Sequence, residues 1–221
     1  MTPAIAEGRR IAVLISGRGS NLQAVIDAVA AGSLDASIAL VLSNRSDAPG
    51  LKRAREAGIE AVCLGQSDYS DRDAYDRAVV EALRSRRIDL VCLAGFMRLV
   101  GAPLLDAFPN RVLNIHPSLL PAFPGLNAQR QALVHGVRVS GATVHLVTAE
   151  LDAGPIILQS AVAVFDDDTE ETLSARILIE EHRLYPAAID LLLRGGWRLE
   201  GRRFIAEGGR RSDSAAGGPG A

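Results

Sequence analysis

From position 10 onward the chain alternates short apolar, β-branched runs with longer stretches of helical period. Positions 11–16, 37–43, 60–64, 89–94 and 111–115 read as strands, and 21–31, 49–57 and 71–86 as the helices between them. Several of these runs are almost wholly apolar, as strands covered on both faces are. The pattern predicts βαβ units around a mostly parallel sheet. After position 115 the character changes: Pro117, Pro121, Pro124 and Gly125 punctuate a loop that excludes both helix interior and central strand. A helix is predicted over 127–135, and β-rich runs at 141–147 and 155–164 suit an antiparallel pair at one end of the sheet. Acids at 166–168, 170 and 171 open a long helix over 169–193, which Gly195-Gly196 closes. Runs at 197–199 and 203–205 flank Glu200-Gly201-Arg202 as a small hairpin.

The 221 residues, 48% hydrophobic and 23% charged, suit one ordinary domain. Positions 1–9 form an N-terminal extension, 10–206 the domain, and 207–221 a Gly-, Ser-, Ala- and Arg-rich tail expected to be disordered. With 24 Lys and Arg against 26 Asp and Glu, the net charge of -2 carries no basic excess, so nucleic acid is not an expected partner. No stretch reaches the roughly 18 apolar residues of a membrane span, and the N-terminus lacks a signal-like apolar segment, so a cytoplasmic protein is expected. Cys63 and Cys92 sit singly in apolar runs and read as reduced core residues; no metal is expected.

Two stretches carry chemistry. Ser16-Gly17-Arg18-Gly19-Ser20-Asn21 joins the first strand to the first helix, where backbone N–H groups and the helix dipole converge on an anion. Leu22 replaces the third glycine of a dinucleotide fingerprint and no Gly-Lys-Ser/Thr follows, so a monophosphate ester fits best, with the Ser20 hydroxyl and Asn21 amide as added donors. The second stretch is Asn114-Ile115-His116-Pro117-Ser118-Leu119-Leu120-Pro121. Asn114 and His116 are two apart and share a side if strand geometry persists. Further on, Glu150-Leu151-Asp152-Ala153-Gly154-Pro155 turns between two β-rich runs and can return Asp152 to the same place. An amide donor, an imidazole and a carboxylate are the parts that attack of an amine on a formyl carbon requires: oxyanion stabilisation and a proton for the leaving nitrogen.

These pieces, together with Leu93-Ala94-Gly95-Phe96-Met97-Arg98 and Gly141-Ala142-Thr143-Val144-His145, resemble the phosphoribosylglycinamide formyltransferases over about 10–205. The resemblance implies a Rossmann-like α/β formyltransferase fold, a mostly parallel sheet with helices on both faces and an antiparallel C-terminal portion. It implies transfer of a formyl group from 10-formyltetrahydrofolate to glycinamide ribonucleotide in purine biosynthesis, by a monomer or homodimer acting on small molecules. Asn114, His116 and Asp152 are then catalytic, with His116 the proton donor. Gly19, Ser20, Asn21 and, on the long helix, Glu181 hold the phosphoribosyl substrate. Arg72, Met97, Arg98, Leu99, Val100, Asn114, Val147, Thr148, Ala149, Glu150, Leu151 and Asp152 line the folate cleft. Some members carry a histidine where this chain has Ser140, so no second catalytic histidine is expected there.

His145 and His182 read as structural, His135 as a helix-end cation, and Arg98 as open between a folate tail and a helix cap. A neighbouring Asp152 is expected to raise the pKa of His116 against the opposing effect of burial. The same motifs serve formyltetrahydrofolate hydrolases and methionyl-tRNA formyltransferases, for which extra terminal domains are expected. A non-catalytic phosphate- or nucleotide-binding module is the alternative of another class.

Overall fold

The computed structural model describes residues 9–206. The expected extension, Arg9 apart, and the 207–221 tail lie outside these described residues. The first five strands are β1 (Arg10–Ile15), β2 (Ser37–Ser43), β3 (Ala61–Cys63), β4 (Leu90–Leu93) and β5 (Val112–His116), and all are parallel. They are followed by β6 (Val139–Leu146), β7 (Ile156–Ala163), β8 (Trp197–Glu200) and β9 (Arg203–Ala206) in one nine-stranded sheet of order β3-β2-β1-β4-β5-β6-β7-β9-β8. β6 is antiparallel to β5 and β7. The antiparallel pair therefore does not end the sheet: the predicted hairpin, β8 and β9, joins outside it through one parallel pairing, Ile156 with Arg203.

The helices are α1 (Ser20–Ala30), α2 (Pro49–Glu56), α3 (Arg72–Arg84), α4 (Ala102–Ala107), α5 (Ala128–His135) and α6 (Glu170–Arg194). Alternate strand residues divide the core. Ile11, Val13, Ile15, Leu90, Cys92, Leu113 and Ile115 pack with α1, α2 and α6, while Ala12, Leu14, Val91, Leu93 and Val112 pack with α3 and α4. Helices thus cover both faces, which is why these strands carry so few polar residues. Burial bears out Cys92 as core; Cys63 is only half-buried.

Local signals set the helix ends. The Asp71 side chain accepts from the Ala74 N–H (2.7 Å) to start α3, and Thr169 and Thr172 form a reciprocal cap at α6. α4 was not predicted: it has six residues, carries Pro103 in its first turn and buries only Leu104, too short to print a period.

The chain adds β2 and β3 on one side of β1, then β4 and β5 on the other. The strand order therefore reverses between β1 and β4, where open α/β sheets bind ligands beyond the carboxyl ends of their strands. The loops leaving β1 and β4 flank that point and are tied together. The Ser16 N–H donates to the Gly95 carbonyl (3.1 Å), and the Ser16 hydroxyl accepts from the Met97 N–H (2.8 Å) while donating to Asn44 Oδ1 (2.6 Å).

Candidate active site

Leu113 and Ile115 of β5 enter the core beneath α6, so Asn114 and His116 share the opposite face at the strand's carboxyl end. Their cross-strand partners on β6 are His145 and Thr143. Asn114 Nδ2 lies 3.1 Å from His145 Nε2, and His145 Nδ1 lies 3.0 Å from the Leu146 carbonyl, which can only accept. His145 Nδ1 therefore donates to that carbonyl and Nε2 accepts from Asn114, 3.6 Å from Asp152 Oδ1. His145 thus bonds its neighbour in the sheet, as expected of a structural histidine, and that neighbour is Asn114 of the cluster.

Asp152 arrives on the β6–β7 connection with a left-handed backbone, φ 49°. The turn closes on Gly154, where a Cβ would stand 1.8 Å from the Leu146 carbonyl oxygen, so no other residue fits without moving the strand. Asp152 Oδ2 is 3.5 Å from His116 Nδ1 and accepts from the Gly125 N–H at 2.8 Å. His116 Nε2 lies 2.9 Å from the Phe123 carbonyl and so donates to it, leaving Nδ1, on the Asp152 side, as the nitrogen that gains and loses a proton.

His116 is 5% exposed. Burial lowers its pKa below the ordinary value and prevails over the Phe123 carbonyl and the Asp152 charge, which both pull it up. The expectation that the carboxylate wins is thereby corrected: the imidazole of the free site rests neutral. Burial pushes the Asp152 carboxyl up, but the facing His145, the Gly125 N–H and His116 more than cancel it, so Asp152 is ionised at neutral pH.

About the other loop, Gly19 takes φ 70° at the N-cap of α1, and no side chain caps that helix. A Cβ on Gly19 would stand 2.8 Å from the Gly50 Cα at the start of α2, so the loop needs glycine for closeness as well as conformation. Asn21 Nδ2 donates to Glu181 Oε2 (2.9 Å), which brings the buried Glu181 of α6 to this loop. Burial raises the Glu181 carboxyl while the Asn21 bond opposes it. The Asn21 Oδ1 atom is buried with no hydrogen-bond partner among the described residues.

Residues 9–189 match the formyl transferase family. The chain belongs to that family. It is 46% identical over 197 residues to "Phosphoribosylglycinamide formyltransferase" of Escherichia coli (strain K12), covering 89% of this chain and 90% of that protein. The crystal structure of glycinamide ribonucleotide transformylase 1 from Symbiobacterium toebii superposes with a TM-score of 0.89 at 57% identity, over 90% of this chain and 94% of that one. The trifunctional purine biosynthetic protein adenosine-3 of Drosophila melanogaster is 47% identical over 189 residues, 85% of this chain, but the chain spans only 14% of its length.

In this formyl transferase the expected folate residues fall in two places. Met97 and Leu99 follow β4, whose last residue Leu93 pairs with Asn114, and Leu151 precedes Asp152; all three are apolar and more than half exposed. Thr148, Ala149 and Glu150 form the exposed rim of the same connection, and Val147 is anchored through its N–H to the Val112 carbonyl (2.8 Å). Arg72 spends an N–H on the Val100 carbonyl (2.6 Å), and Asp76 accepts from the Gly101 N–H (2.6 Å), so both pin the β4–α4 loop. Arg98 caps no helix: its guanidinium lies over the Tyr75 ring, 4.0 Å from the centroid, with Nε unpartnered among the described residues. Ser140 shares the strand face of Ala142 and Val144, opposite His145, so position 140 lies on the other face of β6. His135 ends α5 as expected and packs edge-on to Phe123; His182 is half-buried on α6. Among the described residues no group of three or more His, Cys, Asp and Glu is placed to hold a metal ion, and no helix is long and apolar enough to cross a membrane.

Proposed function

We propose that this formyl transferase moves the formyl group of 10-formyltetrahydrofolate to the amine of glycinamide ribonucleotide, a step of purine biosynthesis, acting on small molecules in the cytoplasm. Support comes from relatives so named that the chain matches over most of both lengths. The observation that carries the site assignment is the meeting of Asn114 and His116, both on β5, with Asp152 of the β6–β7 connection, across the strand-order reversal from an uncapped Gly-Ser-Asn helix start. Gly19, Ser20 and Asn21 receive the phosphate with Glu181 behind them, and the exposed apolar side chains of Met97, Leu99 and Leu151 suit a flat folate heterocycle.

The chemistry then follows from the atoms. The amine attacks the formyl carbon, a C–N bond forms, and charge develops on the formyl oxygen. Asn114 Nδ2 has two N–H groups, one committed to His145 and one free to meet that oxyanion. The attacking amine sheds a proton and the folate nitrogen must gain one as its C–N bond breaks. A resting neutral His116 accepts the first at Nδ1, beside the ionised Asp152, and returns it to the leaving nitrogen. His116 is still the donor, but it is charged within the cycle rather than before it. No covalent enzyme intermediate is required.

The test offers purified protein 10-formyltetrahydrofolate with glycinamide ribonucleotide, water or charged initiator tRNA as acceptor. Product with the ribonucleotide alone is expected. Release of formate, or formylation of the tRNA, would move the chain to a neighbouring activity, and phosphate binding without folate binding would leave only a binding module.

A further inference from the structure

His116 and Asp152 are gripped by one short stretch of backbone. The Phe123 carbonyl accepts from His116 Nε2 (2.9 Å), and two residues on the Gly125 N–H donates to the Asp152 oxygen that faces His116 (2.8 Å). Phe123 holds φ 55°, a left-handed conformation that a bulky residue seldom adopts, so something must keep it there. Three side chains hold the turn through hydrogen bonds to its backbone and to one another. The Ser118 hydroxyl donates to the Ala122 carbonyl (2.6 Å). Thr143 Oγ1 donates to the Ser118 carbonyl (2.6 Å) and accepts from the Leu120 N–H (3.0 Å) and Gln159 Nε2 (2.9 Å), which fills the capacity of a hydroxyl. Gln159 Nε2 also donates to the Leu120 carbonyl (2.9 Å). His116, Thr143 and Gln159 are successive cross-strand partners on β5, β6 and β7, a row of one sheet face. Ser118 and Thr143 are fully buried.

We infer that Ser118, Thr143 and Gln159 are positioning residues that aim the Phe123 carbonyl at His116 and thereby fix which ring nitrogen keeps its proton, reserving Nδ1 for transfer. With the carbonyl displaced, a neutral ring is free to place its proton on Nδ1 toward Asp152, where it can no longer accept one from the amine. A tautomer in which the wrong nitrogen is protonated has the geometry of the active site without its function. The inference rests on the assignment of His116 as the proton carrier.

The test combines ring-nitrogen NMR of His116 with kinetics on the full chain. Wild type should show Nε2 protonated and Nδ1 bare when the ring is neutral. Thr143→Val should yield a mixed tautomer and a kcat lower by about 10- to 100-fold, the usual consequence of a small misplacement, with KM for both substrates nearly unchanged. Thr143→Ser, which keeps the hydroxyl, should restore both. Gln159→Leu should move the same signals less, and serves if Thr143→Val fails to fold. A wild-type ring carrying its proton on Nδ1 overturns the inference, as does a folded Thr143→Val or Gln159→Leu with unchanged tautomer and kcat. Full turnover by His116→Ala would instead remove the catalytic assignment and leave the tautomer result standing.

Discussion

Replacing Asp152 by Asn removes one negative charge from beside His116 at nearly constant shape. The carboxylate stands 3.5 Å from Nδ1, and the two side chains are 8% and 6% exposed, so water screens the pair little. Two unit charges about 4 Å apart at an effective dielectric of about 20 interact by about 4 kcal/mol. At about 1.4 kcal/mol per pKa unit this is a ceiling of about three units in the stability of the imidazolium. Since that imidazolium forms within the cycle, kcat should fall on the order of a hundredfold to a thousandfold, with KM for either substrate changing far less. The assay is steady-state formyl transfer at saturation, paired with NMR titration of His116. In the wild type, burial places its pKa below the ordinary value of about 6.5; the variant, lacking the charge that pulls it up, should titrate lower still, and the acid limb of kcat should move down with it. Identical His116 titrations together with near wild-type turnover would refute the reasoning.

Asn114→Ala should fold normally and lose kcat by on the order of a hundredfold or more, as removal of an oxyanion donor does; turnover close to wild type would take Asn114 out of the mechanism. Gly19→Val should raise KM for the phosphorylated amine with folate affinity nearly unchanged, since its Cβ would meet the Gly50 Cα and spoil the anion loop. Ser20→Ala should do the same more mildly, and equal damage to both substrates would indicate misfolding instead. Stability should depend on pH through His116: its folded pKa lies below its unfolded value, so stability is full above about pH 6.5 and is lost as pH falls toward the folded value, with half-buried His182 acting in the same sense. Denaturant midpoints measured in steps from neutral to acid should show this slope, and His116→Asn should flatten it; an unchanged slope in the variant would contradict the assignment.

The pattern of short apolar runs and helical stretches was enough to place β1–β7, α1–α3, α5 and α6 within a few residues, because covered parallel strands and amphipathic helices print their surroundings directly in the sequence. The parallel docking of β9 on β7 was not legible, since one pairing of Ile156 with Arg203 leaves no period. In the site, Asn114 and His116 were legible as neighbours two apart on a strand, and Asp152 through its turn motif. His145 was not, because alternation on β6 explains it equally well as a sheet residue; its place opposite the Asn-x-His strand was the missing signal. The Phe123 carbonyl and Gly125 N–H are backbone groups, which no residue type advertises. The direction of the His116 pKa was misread for a similar reason: the charged neighbour is visible in the sequence, whereas the desolvation that outweighs it comes from packing.

The most direct measurement is a crystal structure of the protein with glycinamide ribonucleotide and a 10-formyltetrahydrofolate analogue bound together. The account predicts the phosphate on the backbone of Gly19, Ser20 and Asn21, with the formyl carbon's oxygen within about 3 Å of Asn114 Nδ2 and the folate nitrogen within reach of His116 Nδ1, directly or through one water. A phosphate held elsewhere, or a formyl group remote from Asn114 and His116, would contradict it.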